Sequence, residues 1–425
     1  MTSGSTRRTW RHVASIGLLS LPLCACGSPP PQVTTFDVID SAGVAITSST
    51  SPVWADGDEW RIASEPEVVI GRGDGDERYL LSDVLSVRRF SDGRIAVLDG
   101  GSSRVRIYDG EGRHLVDMGG PGEGPSEFSR EQYLDLVNDT VFVYESSPGT
   151  ITVFSGDGNF LRMGPSPRPP SGRVLFGAAF GVLHGESLVV AGYPPGRPER
   201  TLELTRQEMS IWRLSLRGSE ADSLMVILSD EAVMDDSEGR VRIRDVLFGK
   251  TTYFTASDSH LYVGDSDTYG IRVHDAQGVL KQAIRRVVEP RLVGPGDLER
   301  HVRQTARLAG NPDSMITVAL QRMREFPIAD AMPAFRQLIA DSDGNLWVED
   351  WDDVGVEQGR FSVFRADGAW LGRVDLPPGL PWLRARGVYT SLLEIGADFV
   401  LGVWVDDLGV EQVRKYRISK GADAR

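Results

Sequence analysis

Cysteine is all but missing from this sequence: there are two in 425 residues, Cys24 and Cys26. Both lie in the first 26 residues, so a chain processed there has no thiol for a disulfide, a zinc site or a nucleophile, and its fold must stand on packing alone. Basic charge is also in deficit, with 46 Lys and Arg against 60 Asp and Glu. Losing the first 25 residues removes three arginines and no acids, which takes the formal charge from −14 to −17. Such a body is repelled by nucleic acid and by anionic lipid heads. The apolar run from Val13 to Leu23 is too short to cross a hydrocarbon core, which takes about 20 apolar residues. Preceded by Arg7, Arg8 and Arg11, it reads as a signal peptide over residues 1–25 and is set aside from fold reasoning. Histidine is sparse as well, and none sits in a Ser-x-x-Lys or Gly-x-Ser-x-Gly context. A triad assembled in space stays open on sequence alone.

The apolar run ends in Leu23-Cys24-Ala25-Cys26-Gly27. Basic region, apolar core and Leu-x-Ala-Cys in that order resemble the lipobox of bacterial lipoproteins. The resemblance implies that Cys26 becomes the lipidated first residue, held in a membrane by more than one acyl chain, as stable anchoring requires. Ser28 is not the aspartate that retains some lipoproteins at the inner membrane, which favours an outer-membrane destination facing the periplasm or the cell surface. Arg7-Arg8 leaves both general and twin-arginine export open. Residues 26–55, rich in Pro, Ser and Thr and starting with Pro29-Pro30-Pro31, are expected to be a flexible tether.

Beyond the tether one pattern recurs, a short apolar alternation ending in an aromatic residue or His, then a turn rich in Asp and Gly. The copies are Arg104–Gly112, Thr150–Gly158, Ser210–Trp212, Gly270–Gly278, Arg360–Gly368 and Val413–Tyr416. A second strand with its own turn precedes most of them: Asp92–Asp99, Asp139–Glu145, Ser259–Asp265 and Asp343–Glu349. Four short strands per ~40–60 residues is the period of a propeller blade. Six copies predict an all-β, six-bladed β-propeller over residues 56–420. Its last copy supplies three strands, so the segment Trp60–Ile70 is expected to complete the sixth sheet and latch the ring. The one overlong interval, between the fourth and fifth copies, loses strand alternation. Helical spacing replaces it across 296–326, as in Leu298, Val302 and Thr305, and a helical hairpin is expected there.

These copies are similar to NHL-type repeats and to the bacterial six-bladed β-propeller lipoproteins related to them, of the TolB-like superfamily. Gly122-Glu-Gly-Pro-Ser-Glu-Phe128 looks like the Gly-x-Gly-Pro-x-Glu-Phe segment of that group. The resemblance implies the fold and little chemistry, because propellers host binding modules and enzymes alike.

Turns between first and second strands and between third and fourth strands share one face and are tight here. Links between blades are long and share the other face, which is where function usually concentrates. That face is expected to collect acids from the ends of second strands: Asp99, Glu145, Asp265 and Glu349, with Asp267, Asp350 and Asp352 nearby. A ring of carboxylates suits a divalent cation. Carboxylates repeating at one register also suit turn capping, and this is the reading preferred. Trp351, Arg336, Tyr133 and Tyr389 complete the candidate ligand-binding set, with Arg285, Arg286, Arg291 and Arg300 making the hairpin region basic. No catalytic residue is named, no cofactor is expected, and calcium is the one ion kept in view. The function expected is a monomeric envelope binding module for a protein, peptide or glycan. The alternative is a calcium-dependent hydrolase or lactonase in the channel.

Overall fold

The structure is a computed structural model that describes Met1 and residues 35–129, 131–145, 149–165, 173–183, 187–193, 204–217, 221–237, 240–308, 313–351, 359–379, 393–406 and 408–421. Residues 2–34, Cys26 among them, lie outside that set.

Four strands precede the first blade: β1 (Phe36–Ser41), β2 (Val44–Ser49), β3 (Arg61–Ile62) and β4 (Val68–Ile70). Blade 1 is β5 (Val84–Arg89), β6 (Ile95–Asp99), β7 (Arg104–Tyr108) and β8 (His114–Gly119), and blade 2 is β9 (Glu131–Val137), β10 (Thr140–Glu145), β11 (Thr150–Phe154) and β12 (Phe160–Pro165). Blade 3 has five strands, β13 (Arg173–Leu183), β14 (Ser187–Tyr193), β15 (Leu204–Ser215), β16 (Ala221–Ser237) and β17 (Arg240–Asp245). Blade 4 is β18 (Thr252–Ala256), β19 (His260–Asp265), β20 (Gly270–Asp275) and β21 (Leu280–Arg286). After helices α1 (Asp297–Leu308) and α2 (Asp313–Met323), blade 5 is β22 (Phe335–Ala340), β23 (Leu346–Asp350), β24 (Arg360–Phe364) and β25 (Trp370–Asp375). Blade 6 is β26 (Leu393–Ile395), β27 (Phe399–Val405) and β28 (Glu411–Ser419). The sequence copies are the third strands, and the hairpin stands between blades 4 and 5. The chain is a six-bladed β-propeller.

Within blades the turns explain the recurring Asp and Gly. In Asp109-x-x-Gly112 the carboxylate accepts from the Glu111 and Arg113 backbone N–H groups at 3.0 and 2.8 Å. Asp275, Asp341 and Asp406 each cap two N–H groups at the same offsets. Asp341 also accepts from the Asn345 and Trp347 side chains, so the Asp341–Asn345 segment is a capped turn.

Between blades lies the core, one apolar cluster at each of the six blade interfaces. Innermost strands adjoin one another in order around the ring, with β26 returning to β5. The expected latch is present as antiparallel pairing of β4 with β28 over Val68–Lys415, Val69–Arg414 and Ile70–Val413, and of β3 further along the same strand.

One expectation is corrected. Residues from Phe36 onward, assigned to the tether, form an antiparallel hairpin whose β2 runs parallel to β21, so blade 4 gains two outer strands. The chain then passes the rim of blade 5, where Val53 and Trp54 donate backbone bonds to Trp370 and Leu371 carbonyls at 2.9 Å, before latching blade 6. The Ser and Thr that read as linker composition are what misled. The Thr47 hydroxyl donates to the Asp367 carbonyl at 2.7 Å and the Ser49 hydroxyl accepts from the Trp370 N–H at 3.1 Å, both side chains fully buried. A buried hydroxyl with a partner is structural glue.

The Gly122–Phe128 segment also has a structural role. Phe128 is buried in the blade 1–2 core, its N–H bonded to the Gly120 carbonyl at 2.7 Å, while Glu127 accepts from Gly124 N–H at 2.8 Å. Gly119 is left-handed (φ +84°), and a Cβ there would overlap the Phe128 ring. Phe128→Ala should cost ~3–5 kcal/mol in urea unfolding; an unchanged midpoint would show that the segment serves something other than packing.

Candidate functional site

On the loop-bearing face most of the predicted acids are fully engaged. Asp99 accepts from the Ser82 N–H at 3.1 Å and the Ser102 hydroxyl at 2.7 Å, and pairs with Arg106 at 2.9 Å. Glu145 accepts from the Ser129 N–H at 2.9 Å and the Thr150 hydroxyl at 2.6 Å. Asp265 holds Arg206 at 2.7 Å, Asp267 holds Lys250 at 2.6 Å, and Glu349 lies 3.3 Å from Arg336. The acids are spread over blades 1, 2, 4 and 5 and tie strand ends together. Glu411 does the same at the closure, accepting from the Val84 N–H at 2.7 Å. Among the described residues no three His, Cys, Asp or Glu side chains are grouped to hold a metal ion.

Asp350 is the most heavily bonded. Buried between blades 4 and 5, it accepts from the Tyr269 hydroxyl at 2.6 Å, Arg286 at 3.0 and 3.1 Å and the Ser362 hydroxyl at 2.8 Å, with Arg373 at 3.1 Å. Arg286 is itself sandwiched by rings, 4.0 Å from Trp370 and 4.9 Å from Tyr269. Burial, and then the Asp350 charge, push the Tyr269 phenol well above its ordinary value, so it stays a proton donor.

Above this cluster opens a pocket of about 510 Å³. Its floor is Asp350, Arg286 and Tyr269, and its walls are Val287–Arg291, Met332–Ala334 and Trp351. Three of the predicted residues, Asp267, Asp350 and Trp351, come together here, and Arg336 lies 5.2 Å from the Trp351 ring. Trp351 packs edge-on to Phe248 at 6.1 Å. Asp352 and Tyr389 lie outside the described residues. The walls Val287–Arg291 and Met332–Ala334 are the two stretches of the interblade link that flank the hairpin, whose helices pack on each other through Val302, Ala306 and Ile316. Its base is stitched to blade 3's exit by Leu247 N–H to Pro327 carbonyl at 2.8 Å and Ala329 N–H to Leu247 carbonyl at 3.0 Å. Much of the hairpin's basic charge is met internally, Arg291 and Arg300 by Asp297 and Arg303 by Glu299.

Tyr133 faces elsewhere. Its ring is buried between blades 2 and 3, and its hydroxyl donates to Asp135 at 2.8 Å while accepting from Arg88 at 3.0 Å. Arg88 pairs with Asp135 at 3.1 Å, and Glu394 accepts from the Arg89 N–H at 2.7 Å. This cluster on the innermost strands of blades 6, 1 and 2 carries no local sequence signal, since Arg88, Asp135 and Glu394 each come from a different blade. Arg88, Asp135 and Glu394 stand nearer the tight-turn end of those strands. Burial raises the Glu394 carboxyl to about 7, against the opposing pull of Arg88 and the Arg89 N–H.

Comparisons with known proteins add fold and nothing finer. No family model and no curated protein sequence matches the chain. Among solved structures it is similar to a member of the DUF4221 family from Bacteroides vulgatus, 11% identical, covering 86% of this chain and 100% of that one with a TM-score of 0.50. The likeness is one of fold. A putative exported protein from Bacteroides fragilis is 10% identical, with 88% and 99% of the chains covered and a TM-score of 0.45. Virginiamycin B lyase from Staphylococcus aureus is 9% identical over 85% and 99%, with a TM-score of 0.37. No helix among the described residues is long and apolar enough to cross a membrane.

Two consequences are measurable. A carboxyl whose pKa rises from 4.5 unfolded to about 7 folded binds more protons in the native state between those values, so its contribution to stability falls as pH rises through that window. Glu394→Gln should therefore gain up to about 3 kcal/mol on wild type at pH 8 relative to pH 5 in urea unfolding; parallel curves would contradict the burial. Asp350→Asn leaves Arg286 buried and uncompensated and should cost ~3–5 kcal/mol, with a loss under 1 kcal/mol arguing against the cluster.

Proposed function

We infer that this propeller is a non-catalytic binding module of the bacterial cell envelope, holding a protein, peptide or glycan partner on its loop-bearing face. The observation that carries the reading is the pocket between blades 4 and 5, walled by the longest interblade link and floored by a cluster whose polar atoms are already satisfied. A hydrogen-bonded, saturated floor under a rim of Trp, Met, Val and Arg suits recognition better than proton or electron transfer. The alternative, a calcium-dependent hydrolase in the channel, needs carboxylates with charge to spare. Asp135 faces Arg88, and Glu394 sits where burial favours its protonated form.

The binding reading requires no cofactor and no second copy of the chain. The location we infer is the outer membrane, with Cys26 lipidated and the signal removed, supported by the order of basic, apolar and Leu-x-Ala-Cys segments.

Binding of the purified protein to peptide and glycan arrays tests the module. Trp351→Ala should abolish at least one class of signal while leaving the thermal midpoint within a few degrees; retention of every signal would place recognition elsewhere. For the anchor, growth with a clickable fatty acid should label wild type and not Cys26→Ala. Equal labelling, or none, would end the lipoprotein reading.

A further inference from the structure

The pocket's polar atoms are unequally matched. On its floor every oxygen of Asp350 has a donor. At its wall two donors have no acceptor: the Trp351 indole N–H and Nη1 of Arg291, whose Nη2 is held by Asp297 at 2.7 Å. Among the described residues neither the Val288 nor the Glu289 backbone N–H donates to another backbone group, although the preceding Val287 N–H still reaches the Ser49 carbonyl at 3.0 Å. Arg285, exposed at the rim, has no ion pair among the described residues. Two residues of the cavity wall therefore each carry a shielded donor without an acceptor, and a buried N–H left without an acceptor is costly.

Beside those donors the surface is apolar. Val287 is 67% and Val288 38% exposed, Leu292 is 73% exposed, and Met332, Pro290 and Pro333 close the pocket behind them. A ligand that answers both features carries an acceptor pair one or two bonds from an aliphatic or aromatic group.

We propose that this pocket binds the C-terminal carboxylate of a polypeptide whose last side chain is apolar, with Arg291 and the Trp351 N–H as carboxylate donors and Val287, Val288 and Met332 receiving the side chain. The proposal rests on the module reading and specifies its ligand. An extended peptide also brings backbone carbonyls that can accept from whichever of the adjacent Val288 and Glu289 N–H groups faces the cavity, as an added strand does at alternate residues, whereas a glycan carboxylate brings no such acceptors. Glu289, exposed at the rim and without an ion pair among the described residues, is an acceptor for the peptide's own N–H groups. Both orphan nitrogens are shielded from water in the unliganded arrangement, so binding requires the indole and the guanidinium to turn toward the cavity. The indole itself then reports occupancy.

The test is an indole 15N–1H spectrum of the full-length protein. With nine tryptophans, the Trp351 resonance is identified by its loss in Trp351→Phe. Titration with acetyl-Gly-Leu bearing a free carboxylate should shift that resonance downfield and saturate in the millimolar range. The same peptide as its amide should leave it in place, and Arg291→Ala should weaken the acid about tenfold, the loss of one charge-assisted bond. Arg285→Ala, at an exposed rim site, is the companion variant that keeps the fold and should weaken binding by a smaller factor. Equal shifts from acid and amide, or an equal shift from inorganic phosphate alone, would overturn the carboxylate assignment. Array partners that bind through internal sequence, with their termini amidated and affinity unchanged, would overturn it too while leaving the module reading intact.

Discussion

A ring of sheets is stable only if its last sheet is completed, because an unfinished blade exposes an edge and breaks the sequence of interblade cores. Here the constraint is met by joining the two ends of the domain: β28 takes β4 and β3 as its outer partners. The N-terminal segment does more than latch. It extends blade 4 with β1 and β2, crosses the rim of blade 5 with two backbone bonds, and only then reaches blade 6. One continuous strip of about 35 residues thus binds three blades in turn, and loss of its grip removes outer-edge bonds from half the ring.

Inside the ring a second set of bonds works at the same seam. Glu411 reaches into blade 1, Glu394 accepts from the Arg89 N–H, and Arg88 spans to Asp135 of blade 2. These are charged groups held in place by neighbours from different blades, so they report the blades' mutual position as well as stabilising it. The Arg286–Asp350 cluster does likewise between blades 4 and 5, where the insertion enters. The pocket sits directly over that cluster, which gives it a floor that cannot relax without separating two blades.

What the sequence made legible follows period and chemistry. Third strands from Arg104–Tyr108 to Val413–Tyr416 announce themselves by alternation and by the Asp-x-x-Gly turn, since the capping carboxylate and left-handed glycine leave few other residues room there. The latch followed from counting strands in blade 6. The belt was hidden because Thr47 and Ser49 look like linker residues until Asp367 and Trp370 are placed beside them. The acids at second-strand ends were legible as a pattern, and their partners Arg106, Arg206 and Arg336 were not, because each arrives from a different strand. The pocket depends on Trp351, Arg291 and Val287 meeting across more than 60 residues of chain, a juxtaposition that no local signal carries.

The direct test of ring closure is removal of the strip. A chain beginning at Gly71 lacks β1 to β4 and keeps β5 to β28. Thermal unfolding combined with amide hydrogen exchange should show protection lost in all six blades together, with the transition collapsed or displaced far below that of the intact protein. An unchanged midpoint, or exchange confined to β27 and β28, would mean that the ring holds without its N-terminal strand.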